Sequence, residues 1–360
     1  MALKIVWNDI LKERADAIVT TASRNPRIGI GLDRFVHRAA GPKLLAARKE
    51  MGRIAPGKVG VSSAFELRKA TGAKWIIHAP GPMLGKTGDR REELILDGCY
   101  LRILLTAVKL GCKTVSIPVL SSGKFASGVN VMPKAVDIAV KAIGDFLEVF
   151  PALEVKLVGI DLDFFAYARK AYPALTVARL DEASAKKLRA SFGDREDDPT
   201  DLEDSFTIGD EDDVFGDQLL ERVVGDGTFL GMFHRLWDYT LKREKAAKRK
   251  AKGGAYDGEF LTGRRELAVR SGIGESTIKH FCSNSDAAVR TTKDKIVALA
   301  VAMRLPTDYA KRFLSTCGYS LGASRRDRII AAFIAKRCGT VDELGYALKE
   351  GGVPPLVLRD

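Results

Sequence analysis

The chain has 360 residues, enough for two or three domains of about 150 residues each and for at least one large buried core. Hydrophobic residues make up 46% of it and charged residues 29%, which excludes a disordered or fibrous protein. The net charge of +12 favours polyanionic partners such as nucleic acids or phosphorylated ligands.

Targeting signals and cysteine usage predict the cellular compartment of the protein. The segment 1–16, MALKIVWNDILKERAD, carries charges within its first apolar stretch, and no later run approaches the roughly 18 apolar residues of a membrane span. The five cysteines are scattered, without CxxC spacing or a nearby histidine pair. We therefore expect a cytoplasmic protein with reduced thiols, no metal and no cofactor.

Short β-branched runs alternate with amphipathic segments in the first half, which predicts strands and helices in turn. The predicted strands are 4–7, 17–22, 74–79, 114–120 and 155–162. The predicted helices are 32–51, 91–111 and 132–150. This alternation predicts a three-layer α/β/α domain with a largely parallel or mixed sheet, whose ligands bind at the carboxyl ends of the strands.

The distribution of charge marks a domain boundary. Residues 1–180 hold 28 Lys and Arg against 16 Asp and Glu, residues 181–215 hold 4 against 13, and residues 216–360 hold 26 against 17. The acidic stretch has little periodicity, which is typical of a solvated linker or an interaction tail. We predict domains at 1–180 and 218–360, joined by an acidic linker at 181–217.

Two glycine-bearing loops follow predicted strands. Gly29 and Gly31 precede a helix, so that backbone N–H groups there can face an anion near the helix N-terminus. Ser121, Ser122 and Gly123 can form a second nest of amides and hydroxyls. Two such loops on one sheet edge suggest a diphosphate site, and tight turns without a ligand are the alternative. Neither loop matches the dinucleotide fingerprint or the P-loop, which disfavours a nicotinamide enzyme.

Five short motifs occur in the first half in a recognisable order. They are NDI at 8–10, DAIV at 16–19, GLDRFVHRAAGP at 31–42, IHAPGP at 77–82 and SSGKF at 121–125. Together they resemble the macro domain family, whose members bind ADP-ribose, over about residues 1–175. The resemblance implies the macro fold, with a mixed sheet between helical layers, and implies ADP-ribose as the ligand.

The resemblance also implies roles for individual residues. In the family, the aspartate at the position of Asp9 accepts a hydrogen bond from the adenine amino group, and the aromatic residue at Phe125 packs on the distal ribose. Phe164 and Phe165 occupy the region where an aromatic residue stacks on adenine, and one of the two is expected to face the core instead. The implied ligand-binding residues are Asp9, Ile10, Ser23, Gly29, Gly31, Asp33, Ser121, Ser122, Gly123, Lys124, Phe125 and Phe164.

Departures from the family pattern leave catalysis open. Residues 20–23 read TTAS where the family has Asn-Ala-Ala-Asn, so that Thr20 and Ser23 replace both asparagines. Asp33 occupies the position of an aspartate that activates or orients a water in the hydrolytic branch of the family. The alternative for Asp33 is a helix-start carboxylate favoured by the macrodipole. The histidines of the motifs, His37 and His78, have no metal-binding partners in the sequence, and we interpret them as structural.

The second half has the patterns of an all-helical domain. A basic run with seven Lys and Arg lies between Lys242 and Lys252. Residues 264–279 resemble the helix-turn-helix of small bacterial repressors, with Gly272 at the turn and 275–281 as the second helix. The expected core of this motif is Leu267, Ala268, Ile273 and Ile278.

These observations predict a bacterial protein with a macro-like α/β domain followed by an all-α domain. The predicted function is binding of ADP-ribose or of ADP-ribosylated molecules, with hydrolysis of the ADP-ribosyl or acetyl-ADP-ribose linkage left open. The alternative is a non-catalytic regulator that couples an ADP-ribose-like ligand to a helical module. That module would bind DNA or another protein, and no membrane partner is expected.

Overall fold

The computed structural model describes residues 2–84, 90–123, 131–191, 228–251, 261–283, 289, 291–336 and 340–358. The chain divides into two compact units, residues 1–207 and residues 208–360. The division falls within the acidic stretch of the sequence. Among the helices in the described ranges, none is both long enough and apolar enough to span a membrane.

A seven-stranded mixed sheet forms the centre of the first unit. Its strands are β1 (Leu3–Trp7), β2 (Ala17–Thr20), β3 (Gly60–Ser63), β4 (Trp75–His78), β5 (Thr114–Pro118), β6 (Glu154–Gly159) and β7 (Thr176–Ala178). Their order in the sheet is β3-β4-β2-β5-β6-β1-β7. Only the pair β3 and β4 is antiparallel among these described strands, and the other neighbours are parallel. The predicted mixed sheet is confirmed.

Seven helices accompany this sheet in the described residues. They are α1 (Leu32–Ala40), α2 (Lys43–Met51), α3 (Arg68–Thr71), α4 (Arg90–Lys109), α5 (Val131–Val149), α6 (Leu162–Ala171) and α7 (Glu182–Ser191). Val6, Ile18, Ile76 and Val158 pack in one apolar cluster with residues of α1 and α2. The residues that alternate with these point to the opposite face of the sheet and are also buried. Burial on both faces is expected of a sheet that has a layer of helices on each side.

The structure differs from the predicted elements at several boundaries. The segment 32–51 forms two helices because Gly41 takes a φ of +81° and the following Pro42 lies outside both helices. The predicted strand 155–162 ends at Gly159, and α6 begins three residues later. Within the range predicted as the acidic linker, α7 is helical, and Asp181 caps it by accepting from the Ser184 amide at 2.7 Å. The rest of that range, 192–217, lies outside the described residues.

All the described elements of the second unit are helices, and the predicted all-helical architecture is confirmed. They are α8 (Phe229–Ala251), α9 (Arg264–Ser271), α10 (Glu275–Ser283), α11 (Lys293–Ala302), α12 (Thr307–Thr316), α13 (Arg325–Lys336) and α14 (Val341–Glu350). Gly272 separates α9 from α10 with a left-handed φ of +68°. The four residues expected in the core of this pair are buried.

The pH dependence of stability follows from a buried histidine at the end of β4. His78 is fully buried, and its Nε2 atom lies 2.9 Å from Ser62 Oγ. Burial, with smaller contributions from Arg48 and His37, lowers the pKa of His78 to about 3. The unfolded chain therefore binds the additional proton below about pH 6.5, which is the ordinary histidine pKa. We expect the free energy of unfolding to fall by up to about 1.4 kcal/mol per pH unit between pH 6.5 and 3.

Urea unfolding at pH 7 and at pH 5 measures this effect. The variant His78→Gln cannot titrate at this position, so its stability should decline less between the two pH values than that of the wild type. The variant His280→Gln changes an exposed histidine of α10 and should retain the wild-type decline. Equal declines in the wild type and His78→Gln would contradict the prediction.

Candidate ligand-binding site

A cleft of about 220 Å³ lies where β1, β2, β5 and β6 reach their carboxyl ends. This is the sheet edge at which the sequence predicts a ligand. The cleft is lined by Asn8, Asp9, Ile10, Thr21, Ile30, Gly31, Leu32, Pro118, Val119, Ser121, Ser122, Gly123, Met132, Val158, Gly159, Ile160, Asp161 and Phe164.

Asp9 presents a carboxylate at the β1 end of the cleft. Its side chain is nearly buried, and Oδ1 accepts a hydrogen bond from the Leu11 amide at 2.9 Å. This bond caps the short 3₁₀ helix Ile10–Lys12 and fixes the orientation of the carboxylate. The second oxygen, Oδ2, accepts no hydrogen bond from the described residues. It is therefore available to a donor in the cleft.

Gly31 turns the chain from the first glycine loop into α1. Its φ of +59° and ψ of −130° form a conformation that residues with a Cβ atom rarely adopt. The first N–H groups of a helix have no partner within the helix, and they carry a partial positive charge. Gly31 and Leu32 both line the cleft, so the N-terminus of α1 offers amides to an anion there.

Gly29 and Asp33 lie behind this loop and do not line the cleft. The Gly29 amide donates to Asp33 Oδ2 at 2.7 Å, and the Thr20 hydroxyl donates to Asp33 Oδ1 at 3.0 Å. The amide that was expected to face an anion is thus used within the loop. Asp33 is 1% exposed, and its two oxygens connect the loop to the end of β2. This arrangement favours the helix-start interpretation of Asp33 over direct contact with a cleft water.

Buried charges surround Asp33. His37 Nε2 lies 3.7 Å from Asp33 Oδ2. Burial raises the pKa of Asp33, although His37, the Gly29 amide and the Thr20 hydroxyl act in the opposite direction. Burial lowers the pKa of His37, and the Asp33 charge offsets part of that shift. The interpretation of His37 as a structural histidine agrees with this position.

Arg48 of α2 supports the outer part of the same loop. It is fully buried and donates to the carbonyl oxygens of Gly52, Ser23 and Asn25 at 2.6, 2.8 and 3.1 Å. Ser23 therefore belongs to the support of the loop and is not among the cleft residues, whereas Thr21 is. The sequence carried a signal for Arg48, because it follows the buried Leu44 by four positions on the apolar face of a helix.

The second loop presents amides rather than hydroxyls. The Ser121 hydroxyl donates to the Pro82 carbonyl at 2.6 Å, and the Ser122 hydroxyl donates to the Val119 carbonyl at 2.8 Å. Ser121 has a φ of +59°, which is strained for a residue other than glycine and is typical of ligand-binding loops. No described carbonyl accepts from the amides of Ser122 or Gly123. The groups of this loop that remain for a ligand are therefore backbone amides and not the two hydroxyls.

The aromatic residues after β6 divide their roles. Phe164 is 3% exposed and lines the cleft. It packs on Gly159, where a Cβ atom would lie 2.5 Å from the ring. Phe165 stacks on Trp7 with ring centroids 4.2 Å apart. Of these two phenylalanines, Phe164 is therefore the one that can contact a ligand in the cleft. Lys124 and Phe125, which were also predicted as site residues, lie outside the described residues.

Metal-binding chemistry has no support in the described ranges. No three His, Cys, Asp or Glu side chains come close enough there to hold a metal ion. The described lining of the cleft also contains no lysine, arginine or histidine. An anion bound in the described cleft would therefore be held by amides and by the helix dipole.

Comparisons with known proteins identify relatives of the first unit. The family model of the macro domain matches residues 19–131. A macro domain-containing protein of Caldanaerobacter subterraneus is 32% identical over 178 residues, which are 48% of this chain and 97% of the relative. An O-acetyl-ADP-ribose deacetylase of an Enterobacter species is 36% identical over 151 residues, which are 40% of this chain and 78% of the relative.

Solved structures show the same kind of similarity. The Oceanobacillus iheyensis macrodomain with ADP is 29% identical with a TM-score of 0.42, and the match covers 47% of this chain and 88% of that one. The Trypanosoma brucei macrodomain in complex with ADP-ribose is 24% identical with a TM-score of 0.40, covering 46% and 67%. Both matches extend over about half of this chain.

Replacing Asp33 tests its structural role. We expect Asp33→Ala to lower the free energy of unfolding by about 3 kcal/mol, because it removes two hydrogen bonds to a carboxyl group and leaves the Gly29 amide without an acceptor. Asp163→Ala is a matched control, since Asp163 lies in the first turn of α6 but is exposed. Urea unfolding measures both. A loss for Asp33→Ala no larger than that of the control would contradict this role.

Proposed function

Because the chain belongs to the macro domain family through its first unit, we propose that this unit binds ADP-ribose, free or attached to another molecule. One observation carries the proposal. Two loops that present backbone amides flank a cleft whose other wall holds the Asp9 carboxylate and the Phe164 ring. These groups match a nucleoside diphosphate, which combines a base that donates hydrogen bonds with a doubly charged linker.

Each part of this ligand has a complement in the cleft. The diphosphate fits between the N-terminus of α1, at Gly31 and Leu32, and the amides of Ser122 and Gly123. The base fits between Asp9, which accepts from its amino group, and the face of Phe164. Thr21 directly follows β2 and lines the cleft, and we assign it to the distal ribose.

Hydrolysis is a further activity proposed for the same cleft. Its support is the similarity to a relative named O-acetyl-ADP-ribose deacetylase. The position of Asp33 outside the lining favours binding without turnover, since a general base must reach the water that it activates. Release of acetate from O-acetyl-ADP-ribose, and of ADP-ribose from modified protein and nucleic acid, distinguishes the two.

Asp9 is the residue whose replacement tests ligand binding most simply. Asp9→Asn retains an oxygen for the Leu11 amide but replaces the acceptor Oδ2 by an amino group. We expect this change to weaken ADP-ribose binding by about tenfold to a hundredfold in isothermal calorimetry, because a hydrogen bond to a charged acceptor is lost. Asp145→Ala, which removes an equal charge from the exposed part of α5, should bind as the wild type does. Wild-type affinity in Asp9→Asn would exclude Asp9 from the site.

For the second unit we propose a helix-turn-helix function for α9 and α10, with either DNA or a protein as the partner. Gly272 forms the turn, and Ile278 and Phe281 of α10 face the core. The opposite side of α10 exposes Ser276 and Lys279 to solvent. We propose that the acidic stretch of residues 192–217, which lies outside the described residues, links this unit to the first one.

Charge reversal on α10 tests the DNA proposal in the full chain. We expect Lys279→Glu to weaken binding to duplex DNA by about tenfold at low salt, because a cation that contacts phosphate becomes an anion. Lys311→Glu makes the same change at an exposed position of α12 and should bind nearly as the wild type does. Mobility shifts at several salt concentrations measure the affinities. No shift by the wild type at low salt would contradict DNA binding and leave the protein partner.

We also propose a cytoplasmic location. Four described cysteines, Cys99, Cys112, Cys282 and Cys317, are not joined in disulfide bonds. Reduced thiols are typical of cytosolic proteins. Nucleotide-derived ligands such as ADP-ribose are also consistent with this compartment.

A further inference from the structure

A buried ionic cluster lies directly beside the cleft, and ligand binding as proposed above makes no use of it. Glu13 is fully buried, and its carboxylate accepts from Asn8 Nδ2 at 2.6 Å and from Arg179 Nη1 at 2.9 and 3.0 Å. Lys156 Nζ lies 3.2 Å from Glu13 Oε2 and donates to the Arg14 carbonyl at 2.8 Å. One carboxylate thus has two cationic partners and one neutral partner.

Stability alone does not explain this cluster. Removing a carboxylate from water costs several kcal/mol, and a buried ion pair often stabilises a fold no more than apolar residues of the same size. Lys156 and Arg179 compensate the charge of Glu13. The neutral partner, Asn8, is the member of the cluster that lines the cleft.

Glu13 fixes the orientation of the Asn8 side-chain amide. A carboxylate accepts hydrogen bonds, so the Asn8 atom beside it must be the amino nitrogen Nδ2. The amide oxygen Oδ1 is then the atom left for other partners, and no described residue donates to it. Asn8 therefore contributes a hydrogen-bond acceptor, and the next residue, Asp9, contributes another through Oδ2.

We propose that Asn8, oriented by Glu13, is a specificity-determining residue that accepts a hydrogen bond from the amino group of the ligand base together with Asp9. The proposal rests on the ADP-ribose binding proposed above. An amino group has two hydrogens, which match two adjacent acceptors. A base with a carbonyl oxygen at that position has no hydrogen to donate, so that its oxygen would face two acceptors. Such mismatches discriminate strongly between ligands. Glu13 and Arg179 are positioning residues for this contact.

Calorimetric titrations with ADP-ribose and with inosine diphosphate ribose test the proposal. The second ligand carries a carbonyl oxygen where adenine has its amino group. We expect the wild type to prefer ADP-ribose, and Asn8→Ala to reduce this preference by about tenfold through weaker ADP-ribose binding. Binding of the inosine analogue should be no weaker than in the wild type, because Asn8→Ala removes one of the two acceptors that face its carbonyl oxygen. A merely structural loss would weaken both ligands alike.

Two further variants separate positioning from folding. Arg179→Met removes a half-exposed partner of Glu13 and should reduce the preference by less than Asn8→Ala does, with Arg179→Lys restoring part of it. Glu154→Gln is the control, because Glu154 of β6 pairs with Lys4 of β1 at a half-exposed position and does not line the cleft. Its preference should equal that of the wild type.

The outcomes distinguish this inference from the function on which it rests. Failure of the wild type to bind ADP-ribose would overturn the proposed function and the inference with it. If the wild type and Asn8→Ala both bind ADP-ribose and prefer it to the inosine analogue by the same factor, only the role of Asn8 is overturned. Urea unfolding of each variant confirms that the compared proteins are folded.

Discussion

The hydrogen bonds of the buried Asp33 carboxyl group hold together the part of the structure on which the cleft depends. Asp33 accepts from Thr20 at the end of β2 and from the Gly29 amide in the loop that follows it. These bonds give the loop one conformation, in which Gly31 directs the N-terminus of α1 to the cleft. Arg48 fixes the outer part of the loop through three carbonyl groups. Bonds inside the protein therefore position the end of the cleft at which we propose that the diphosphate binds.

The described cleft combines neutral amides at one end with acceptors at the other. No cationic side chain lines it, so a diphosphate there is held by short-range hydrogen bonds and by the dipole of α1. The Asp9 carboxylate lines the same cleft, and we propose that it accepts from the base. Selectivity for the proposed ligand would thus come from the placement of donors and acceptors, and the net charge of +12 is not concentrated in the described lining.

The sequence predicted those parts of the site whose position depends only on residues nearby in the chain. Asp9 is the second residue after a strand, and Gly31 directly precedes a helix, so both were predictable from their positions. The hydrogen bond from the Gly29 amide to Asp33 was not predictable, because the acceptor of that amide depends on how the loop folds. The Glu13 cluster could not be predicted from the sequence, because Arg179 is 166 positions away from Glu13 and only the pairing of β1 with β7 brings the two residues together. Short edge strands such as β3 and β7 have too few residues to show a clear alternation.

We propose that backbone amides of two loops bind the diphosphate of ADP-ribose. Nuclear magnetic resonance of the isotopically labelled full chain, titrated with ADP-ribose, tests this binding most directly. We expect saturable shifts of the amide resonances of Gly31, Leu32, Ser122 and Gly123, with the Gly29 amide less affected because it is bonded to Asp33. Saturable binding that leaves these four amide resonances unshifted, or no binding at millimolar ADP-ribose, would contradict it.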